Sequence, residues 1–434
     1  MTDKELIKTL LVGFQERIPF EGLHNRELKI PINTGKIITI PGVRRCGKST
    51  LMQITINLLL KKGLPAHRIA FINFDDERVK FNADNLDLII QAYRELYPKE
   101  DLNGVYFFFD EIQMADDWEP FVRRLYEQIS KNVFITGSNS KLLSSELASS
   151  LRGRSLAYEE FPLSFAELCD FKSLSNNTYS ERSAAKLRNA FDEFLIWGAF
   201  PEVVKADKEL RNRILAEYYY VMLYRDLVDR FKITNISATK YFISRVMENV
   251  SSPTSVNKIL NELKSQGYKA SKELIYDLSS HTQAIYLFFV LTRYAPSLIK
   301  ESTADKKFYC IDSGLRSQIV RTHSNDSGKM LENAVFLHLR RNVELGDNIY
   351  YYRGKHECDF LVERKSQVTQ LVQVTWEMND ISTRHREING LLEASDSTGC
   401  DNLTIVTHDE EGVINIASKT IRVIPGWKWM LDNR

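Results

Sequence analysis

Near its start the chain carries the segment Ile37-Ile38-Thr39-Ile40-Pro41-Gly42-Val43-Arg44-Arg45-Cys46-Gly47-Lys48-Ser49-Thr50. Gly42 to Ser49 fits the pattern G-x-x-x-x-G-K-[ST] at every defined position, after a short β-branched run and before an amphipathic helix. In such a loop the glycines let backbone N–H groups wrap a phosphate chain, and the N-terminus of the next helix adds partial positive charge. The segment therefore predicts a nucleotide-binding loop at the edge of a parallel sheet.

Individual side chains of this loop have predicted roles. Lys48 is expected to reach the β- and γ-phosphates, and Ser49 to place its hydroxyl on a magnesium ion, with Thr50 beginning the helix body. The other loop residues predicted to contact the nucleotide are Gly42, Val43, Arg44, Arg45, Cys46 and Gly47. The alternative is a glycine-bearing turn with a surface lysine, and a second motif argues against it.

That second motif is Val105-Tyr106-Phe107-Phe108-Phe109-Asp110-Glu111. Its apolar run is typical of a strand buried on both faces in the centre of a parallel sheet. Two adjacent carboxylates at its end would be costly there without a task. We expect Asp110 to hold magnesium, and Glu111 to orient and deprotonate the attacking water.

Polar side chains also follow two other predicted strands. Ser138 and Asn139 come after Val133-Phe134-Ile135-Thr136-Gly137, where either can report whether the γ-phosphate is present. Asp75 and Asp76 follow an earlier strand, either assisting magnesium or standing as solvated strand-end carboxylates. Strands and helices that alternate at this spacing predict an α/β fold with a doubly wound parallel sheet, whose ligands bind at the carboxyl ends of the strands.

Two arginines flank a glycine just past that polar strand end. Arg152 and Arg154 could supply the cation that neutralises charge on the transferring phosphoryl group. The competing interpretation is a solvated turn whose charges hold neighbouring acids such as Glu159 and Glu160.

The motifs together resemble a known family. The order Gly-Val-Arg-Arg-x-Gly-Lys-Ser, Phe-Asp-Glu-Ile-Gln, a following Trp118, Thr-Gly-Ser, Leu-x-Gly-Arg and Phe-Pro-Leu-Ser-Phe is similar to the AAA-like ATPases of bacteria and archaea. In that family the ATPase core precedes a domain of unknown function. The resemblance covers nearly the whole chain and implies an AAA+/STAND-like core at 1–165, ATP and magnesium as cofactors, and Arg152 or Arg154 as the candidate arginine.

Composition sets bounds on the rest. A length of 434 residues predicts two to four domains, and a formal net charge of +1 provides no global field to recruit nucleic acid or membrane. The five cysteines are scattered without a C-x-x-C pair, as expected for reduced thiols. The start of the chain does not resemble a signal peptide, and the most apolar run is too short to span a bilayer. We expect a cytoplasmic protein that makes no membrane contact.

The region after the core is predicted to be helical and then to contain a winged helix. Residues 166–235 are interpreted as a helical lid and linker, and 236–300 show the order helix, helix, short turn, helix and hairpin of a winged helix. From Lys240 to Lys300 there are eight Lys or Arg against four Asp or Glu, a modest basic excess that suits phosphate contacts. Winged helices also dock proteins within ATPases, so DNA and protein both remain candidate partners.

The last region, 301–434, is similar to the PD-(D/E)XK nuclease fold. In that resemblance Glu332 on a helix, Asp359 on a strand and Gln373 on the next strand match the metal-binding positions. Thr375 stands where the resemblance requires a lysine, and neither Lys365 nor another nearby lysine replaces it. A non-catalytic α/β domain that binds or scaffolds is therefore favoured over an active nuclease.

Three functions follow as hypotheses. The first is a magnesium-dependent ATPase in which the bound nucleotide changes the conformation of the appended domains. The second is a nucleotide-gated regulator that binds DNA or protein with little hydrolysis, and the third is an ATP-dependent nuclease. A homo-oligomer is compatible with all three, because the arginine can act within its own subunit or on a neighbour.

Overall fold

The computed structural model describes residues 2–143, 145–295, 304–320, 326–344, 346–416 and 418–432. The chain divides into two compact units, Met1–Pro162 and Leu163–Arg434. This division lies close to the predicted end of the ATPase core at residue 165. None of the helices in the described parts is long and apolar enough to cross a membrane.

The first unit is built on a five-stranded parallel sheet in the order β2-β3-β4-β1-β5. Its strands are β1 Ile37–Pro41, β2 Ile69–Asn73, β3 Tyr106–Asp110, β4 Val133–Gly137 and β5 Ser155–Ala157. Its helices are α1 Asp3–Gln15, α2 Lys48–Lys61, α3 Leu88–Leu96, α4 Trp118–Gln128 and α5 Ser145–Ser150. Short 3-10 turns lie at Ala66–Arg68, Leu102–Gly104, Ile112–Met114 and Ser140–Leu143.

Alternation along β3 explains why this sheet is covered on both faces. Phe107 and Phe109 pack into a core with α1, α3 and α4, whereas Tyr106 and Phe108 pack into a core with α2. Successive strand residues point to opposite faces, so an uninterrupted apolar strand needs helices on both sides. The predicted doubly wound parallel sheet is confirmed.

The second unit contains a mixed six-stranded sheet and a separate strand pair. The six-stranded order is β12-β13-β11-β10-β9-β8, and β6 pairs with β7 in antiparallel fashion. Its strands are β6 Phe288–Leu291, β7 Lys307–Cys310, β8 Asn348–Arg353, β9 Glu357–Arg364, β10 Gln367–Val374, β11 Leu403–Thr407, β12 Gly412–Ile416 and β13 Lys419–Pro425.

Helices surround both of these sheets. They are α6 Phe165–Phe171, α7 Glu181–Trp197, α8 Pro201–Lys205, α9 Lys208–Val221, α10 Ile236–Glu248, α11 Val256–Ser265, α12 Lys272–Ala284, α13 Ser313–Ser317, α14 Ser327–Arg341, α15 Ile381–Thr398 and α16 Gly426–Asp432. A π-helix, Met222–Asp229, continues α9.

The first helices of this unit do not form a separate lid. Phe165 on α6 and Phe191 on α7 share one buried core with Val335 on α14, Val372 on β10 and Trp427 on α16. Apolar side chains buried together in this way stabilise one folded body. The interpretation of 166–235 as a lid distinct from the terminal domain is therefore corrected for α6 and α7.

Three helices, α10 to α12, precede the β6–β7 pair, which is the element order predicted for the winged helix. The register pairs Phe288 with Cys310 and Leu291 with Lys307. The predicted boundary at residue 300 falls between these two strands and has to move beyond Cys310. The winged-helix assignment itself stays a prediction.

Candidate nucleotide-binding site

The predicted phosphate loop connects the end of β1 to the start of α2, and its backbone is specialised. Arg45 and Gly47 have φ values of +67° and +114°, in the left-handed region. A Cβ on Gly47 would lie 2.6 Å from Arg26 Nη1, and one on Gly42 would lie 2.2 Å from Glu160 O. Both positions therefore require glycine, and Lys48 becomes the first residue of α2.

Asp110 lies directly beside Ser49. The Ser49 hydroxyl donates to Asp110 Oδ2 at 2.7 Å, and the Thr136 hydroxyl donates to Asp110 Oδ1 at 2.5 Å. Burial raises the pKa of Asp110, and the hydrogen bonds from Thr136 and Ser49 oppose this rise. A hydroxyl next to a carboxylate at the base of a phosphate loop is the oxygen donor set that suits Mg²⁺, which takes its remaining ligands from water and phosphate.

Glu111 forms an ion pair with the lysine of the loop. Lys48 Nζ lies 3.1 Å from Glu111 Oε1 and donates to the backbone oxygen of Val43 at 3.1 Å. Burial alone would raise the pKa of Glu111, but the charge of Lys48 and a hydrogen bond from Gln113 lower it to about 2. Burial would likewise lower the pKa of Lys48, yet Glu111 holds it above its ordinary value. The pair is therefore fully charged at neutral pH.

Ser138, at the polar end of β4, is linked to Glu111 through the side chain of Gln113. Gln113 Nε2 donates to Glu111 Oε2 at 2.5 Å and to Ser138 Oγ at 3.3 Å. Ser138 and Asn139 are both buried at the end of β4. Ser138 thus belongs to the group around the acids, and Asn139 is the next residue after the same strand end.

Arg152 and Arg154 lie at the opposite edge of the sheet. Ile37 N, at the start of β1, donates to Arg154 O at 2.8 Å, and Ser155 pairs with Ile37. The phosphate loop follows the other end of β1, about 16 Å away along five strand residues. Both guanidinium groups approach Glu127 instead. A role for either arginine at the phosphates of its own chain therefore does not fit the structure.

Local contacts define three further side chains in or near the loop. Asp75 Oδ2 lies 3.6 Å from Arg44 Nη1, so this carboxylate is tied to the phosphate loop. Asp76 forms an ion pair with Arg78 on the surface. Cys46 is completely buried, and burial raises the pKa of its thiol to about 11, which suits a small spacer better than a reactive thiolate.

Comparisons with known proteins agree with this geometry. A family model described as an AAA domain matches residues 34–169, and models described as domains of unknown function match 188–326 (DUF8612) and 327–429 (DUF4143). An uncharacterized protein of Methanocaldococcus jannaschii is 36% identical over 419 residues, covering 94% of this chain and 91% of the relative. The chain belongs to the AAA-like ATPase family.

Two further similarities extend this comparison. An uncharacterized protein of Haemophilus influenzae is 29% identical to this AAA-like ATPase over 368 residues, covering 84% of the chain and 88% of the relative. A Walker-type ATPase of Pyrococcus abyssi has a TM-score of 0.40 and 13% identity, covering 74% of this chain and 96% of that one.

Sequence reasoning missed several residues of the site in this AAA-like ATPase. Thr136 binds Asp110 and also accepts a hydrogen bond from Glu111 N at 2.9 Å. It could have been found, because β4 runs parallel to β3 and places Thr136 next to the strand end that carries the acids. Gln113 had a weaker signal, since a polar residue two positions after Glu111 has many possible roles.

Arg26 clamps the rear of the phosphate loop and was also missed. It is buried, forms an ion pair with Glu160, and donates to Cys46 O at 2.9 Å and to Phe161 O at 2.8 Å. The Arg26 guanidinium therefore links the carbonyl of Cys46 in the phosphate loop to the carbonyl of Phe161 after β5. No sequence motif around Arg26 predicts that its side chain binds the phosphate loop.

The second predicted site lies in the terminal region of the AAA-like ATPase. Glu332 and Asp359 are brought together, and Gln373 Oε1 accepts a hydrogen bond from Asp359 N at 3.2 Å. The sequence offers no lysine near Thr375, but the structure places one from a distant strand beside these carboxylates. Lys307, from β7, lies 2.9 Å from Asp359 Oδ1 and 3.1 Å from Glu332 Oε1.

Proposed function

We propose that this AAA-like ATPase binds Mg-ATP at the loop between β1 and α2 and hydrolyses it. The proposal rests on one juxtaposition: Ser49 and Lys48 of the loop contact Asp110 and Glu111, about 60 positions further along the chain. Carboxylates and a lysine are costly to bury unless they are paired and have a task. Such a cluster at the carboxyl ends of parallel strands is the arrangement that phosphoryl transfer needs.

The proposed roles follow from the contacts. Ser49 and Asp110 supply oxygen ligands for magnesium, which would neutralise charge on the β- and γ-phosphates. Lys48 exchanges Glu111 for the phosphates when nucleotide enters, and this exchange releases the carboxylate to orient and deprotonate water. Gln113 keeps the freed carboxylate aimed, and Ser138 anchors Gln113.

The experiment is phosphate release by the full chain, with nucleotide binding measured separately by fluorescence anisotropy of a labelled ATP. We expect Lys48→Ala to lose binding and turnover together. Glu111→Gln is expected to bind nucleotide but to lose turnover by about 10²- to 10⁴-fold. Turnover that survives in Glu111→Gln would contradict the proposed base, and binding that survives in Lys48→Ala would contradict the proposed loop.

A nucleotide-gated DNA-binding regulator is the second candidate, and the exposed side chains of α11 and α12 favour it. Tyr276 on α12 is 55% exposed, and the exposed lysines between the start of α11 and the start of α12 are Lys258, Lys264, Lys269 and Lys272. Part of the basic excess is internal, because Arg245 forms ion pairs with Glu248 and Glu262. The patch is therefore smaller than the sequence count suggests.

This candidate is tested by titrating the full chain into labelled duplex DNA at several salt concentrations. Phosphate contacts predict binding that weakens steeply with salt, and a Lys269→Glu/Lys272→Glu variant that binds more weakly at every concentration. Lys29→Glu/Lys36→Glu, two substitutions in the first unit, is the charge-matched control. Equal binding by both double variants would exclude this patch as the DNA contact.

A shared site between subunits is the remaining proposal for the arginines. Arg152 has a side chain that is 62% exposed at the amino edge of the sheet, so it can serve only a neighbouring copy. We expect ATPase activity per chain to rise with protein concentration and Arg152→Ala to abolish that rise. Activity per chain that is independent of concentration in both proteins would remove the arginine from the mechanism.

A further inference from the structure

Lys307 lies at the centre of three carboxylates in the second unit. Its Nζ is 2.8 Å from Glu357 Oε1, 2.9 Å from Asp359 Oδ1 and 3.1 Å from Glu332 Oε1. The lysine side chain is 1% exposed, so these contacts replace water almost completely. We call Lys307, Glu332, Glu357 and Asp359 the ammonium cluster. It joins three elements that are distant in sequence, namely β7, α14 and β9.

The ammonium is held by hydrogen bonds and by charge. A lysine ammonium has three N–H donors; Lys307 donates to Glu332 Oε1 and Asp359 Oδ1, and Glu357 adds a third ion pair. Tyr309, two residues further along β7 and hence on the same face, donates to Glu332 Oε1 at 2.7 Å. Its ring also stacks on Phe336 of α14 at a centroid distance of 4.2 Å. Two side chains of β7 therefore hold the same helix.

The residues do not fit the divalent metal that a nuclease-like resemblance implies. Asp359 has one oxygen on Lys307, and its Oδ2 accepts from Val374 N at 3.0 Å. The side-chain amide of Gln373 accepts from Asp359 N and donates to Glu387 Oε2 at 2.5 Å. Within the parts of the chain that the structure describes, no three His, Cys, Asp or Glu side chains are arranged to hold a metal.

We propose that the Lys307 ammonium is a built-in cation that stands where a divalent metal would bind, so the terminal domain is a metal-independent scaffold. The ammonium balances carboxylates that would otherwise repel one another, and it fixes β7 of the strand pair to the terminal sheet. A buried lysine that is paired with three carboxylates is also poorly placed to bind a scissile phosphate. This inference is independent of the proposed ATPase site.

The proposal predicts a reciprocal relation between Lys307 and divalent metal. In the full chain without nucleotide, Mn²⁺ is expected to leave the thermal unfolding of the second unit unchanged. Lys307→Met is expected to lower the melting temperature of that unit by about 10 °C, because unbalanced buried carboxylates remain. Mn²⁺ should then raise the melting temperature of Lys307→Met, and the added substitution Asp359→Asn should remove this rise. Lys306→Met, at the half-buried neighbouring position, is the matched control.

The outcomes that would overturn the proposal are distinct. One such outcome is a Lys307→Met chain that is as stable as Lys306→Met, with a melting temperature that Mn²⁺ does not change. That result would show that the ammonium does not balance the charge of the carboxylates. If Lys307→Met does not fold, Mn²⁺ binding to the native chain and to Asp359→Asn, followed by electron paramagnetic resonance, still decides the question. Equal binding supports the proposal, whereas binding that depends on Asp359, or Asp359-dependent cleavage of plasmid DNA, would overturn it.

Discussion

Lys48 and Glu111 neutralise each other across the candidate nucleotide site, with 3.1 Å between Nζ and Oε1. The lysine predicted to bind phosphate and the carboxylate predicted to activate water are therefore engaged with one another before substrate arrives. If nucleotide binds as proposed, it has to compete with Glu111 for the lysine. The carboxylate would then modulate the affinity for nucleotide as well as act as the proposed base.

We predict that Glu111→Gln binds ATP more tightly than the native chain. The amide removes the anion that competes for Lys48, and a charge-assisted bond is worth about 1.5–3 kcal/mol, so the Kd should fall about tenfold or more. Isothermal titration with ATP and Mg²⁺ measures this. Asp116→Asn, an exposed acid outside the site, should leave the Kd unchanged. A Kd that rises in Glu111→Gln would contradict the competition.

We predict that Thr136→Val impairs magnesium use while Thr136→Ser does not. The Thr136 hydroxyl holds Asp110 at 2.5 Å and receives Glu111 N, and valine keeps the shape but removes both bonds. We expect a loss of about 1–3 kcal/mol in the free energy of unfolding and a higher Mg²⁺ concentration for half-maximal activity. Chemical denaturation and a magnesium titration of phosphate release measure the two effects. Equal magnesium dependence in both variants would exclude Thr136 from positioning Asp110.

We predict that the Arg26 clamp behaves as a buried ion pair. Arg26→Met leaves Glu160 charged in an interior position, which should lower the free energy of unfolding by about 3–5 kcal/mol. Arg26→Met combined with Glu160→Met should cost much less than the sum of the two single changes. Urea unfolding of the four proteins measures the coupling, and Arg17→Met, at an exposed arginine, is the control. Additive losses would mean that the pair contributes little.

We predict that Glu332 makes the stability of the second unit depend on pH. Burial and the neighbouring charge of Asp359 raise the pKa of Glu332 from 4.5 to about 8. A carboxyl whose pKa is raised by folding contributes stability that is complete below pH 4.5 and is lost as pH rises through about 8. Glu332→Gln should therefore flatten the fall in stability between these limits. Urea unfolding across this range gives the two profiles, and parallel profiles would contradict the prediction.

The sequence was sufficient for the candidate nucleotide site where local pattern and chemistry coincide. A phosphate loop is defined by consecutive residues, and Asp110 and Glu111 stand at the end of a strand whose apolar run is itself diagnostic. The sheet that unites them follows from strand and helix alternation. Thr136 and Gln113 escaped because their roles exist only once β4 lies beside β3.

The errors have an equally physical origin. Arg152 and Arg154 precede β5, and residues that precede a parallel strand lie at the amino edge of the sheet, away from ligands. Strand direction alone could have excluded them from their own phosphate site. Lys307 escaped because it lies 52 positions from Asp359, on a strand that precedes the helix and the two strands on which the nuclease resemblance depends.

The position of Lys307 also determines how the polypeptide can be divided. A fragment that begins after Cys310 keeps Glu332, Glu357 and Asp359 but leaves behind their only positive neighbour in the ammonium cluster, together with the tyrosine that stacks on α14. Such a piece would lose both the ammonium that lies between the three carboxyl groups and the ring that covers Phe336. Any dissection of this protein should therefore cut before α6, so that the strand pair and the helices α6 and α7 stay with the terminal sheet whose core they share.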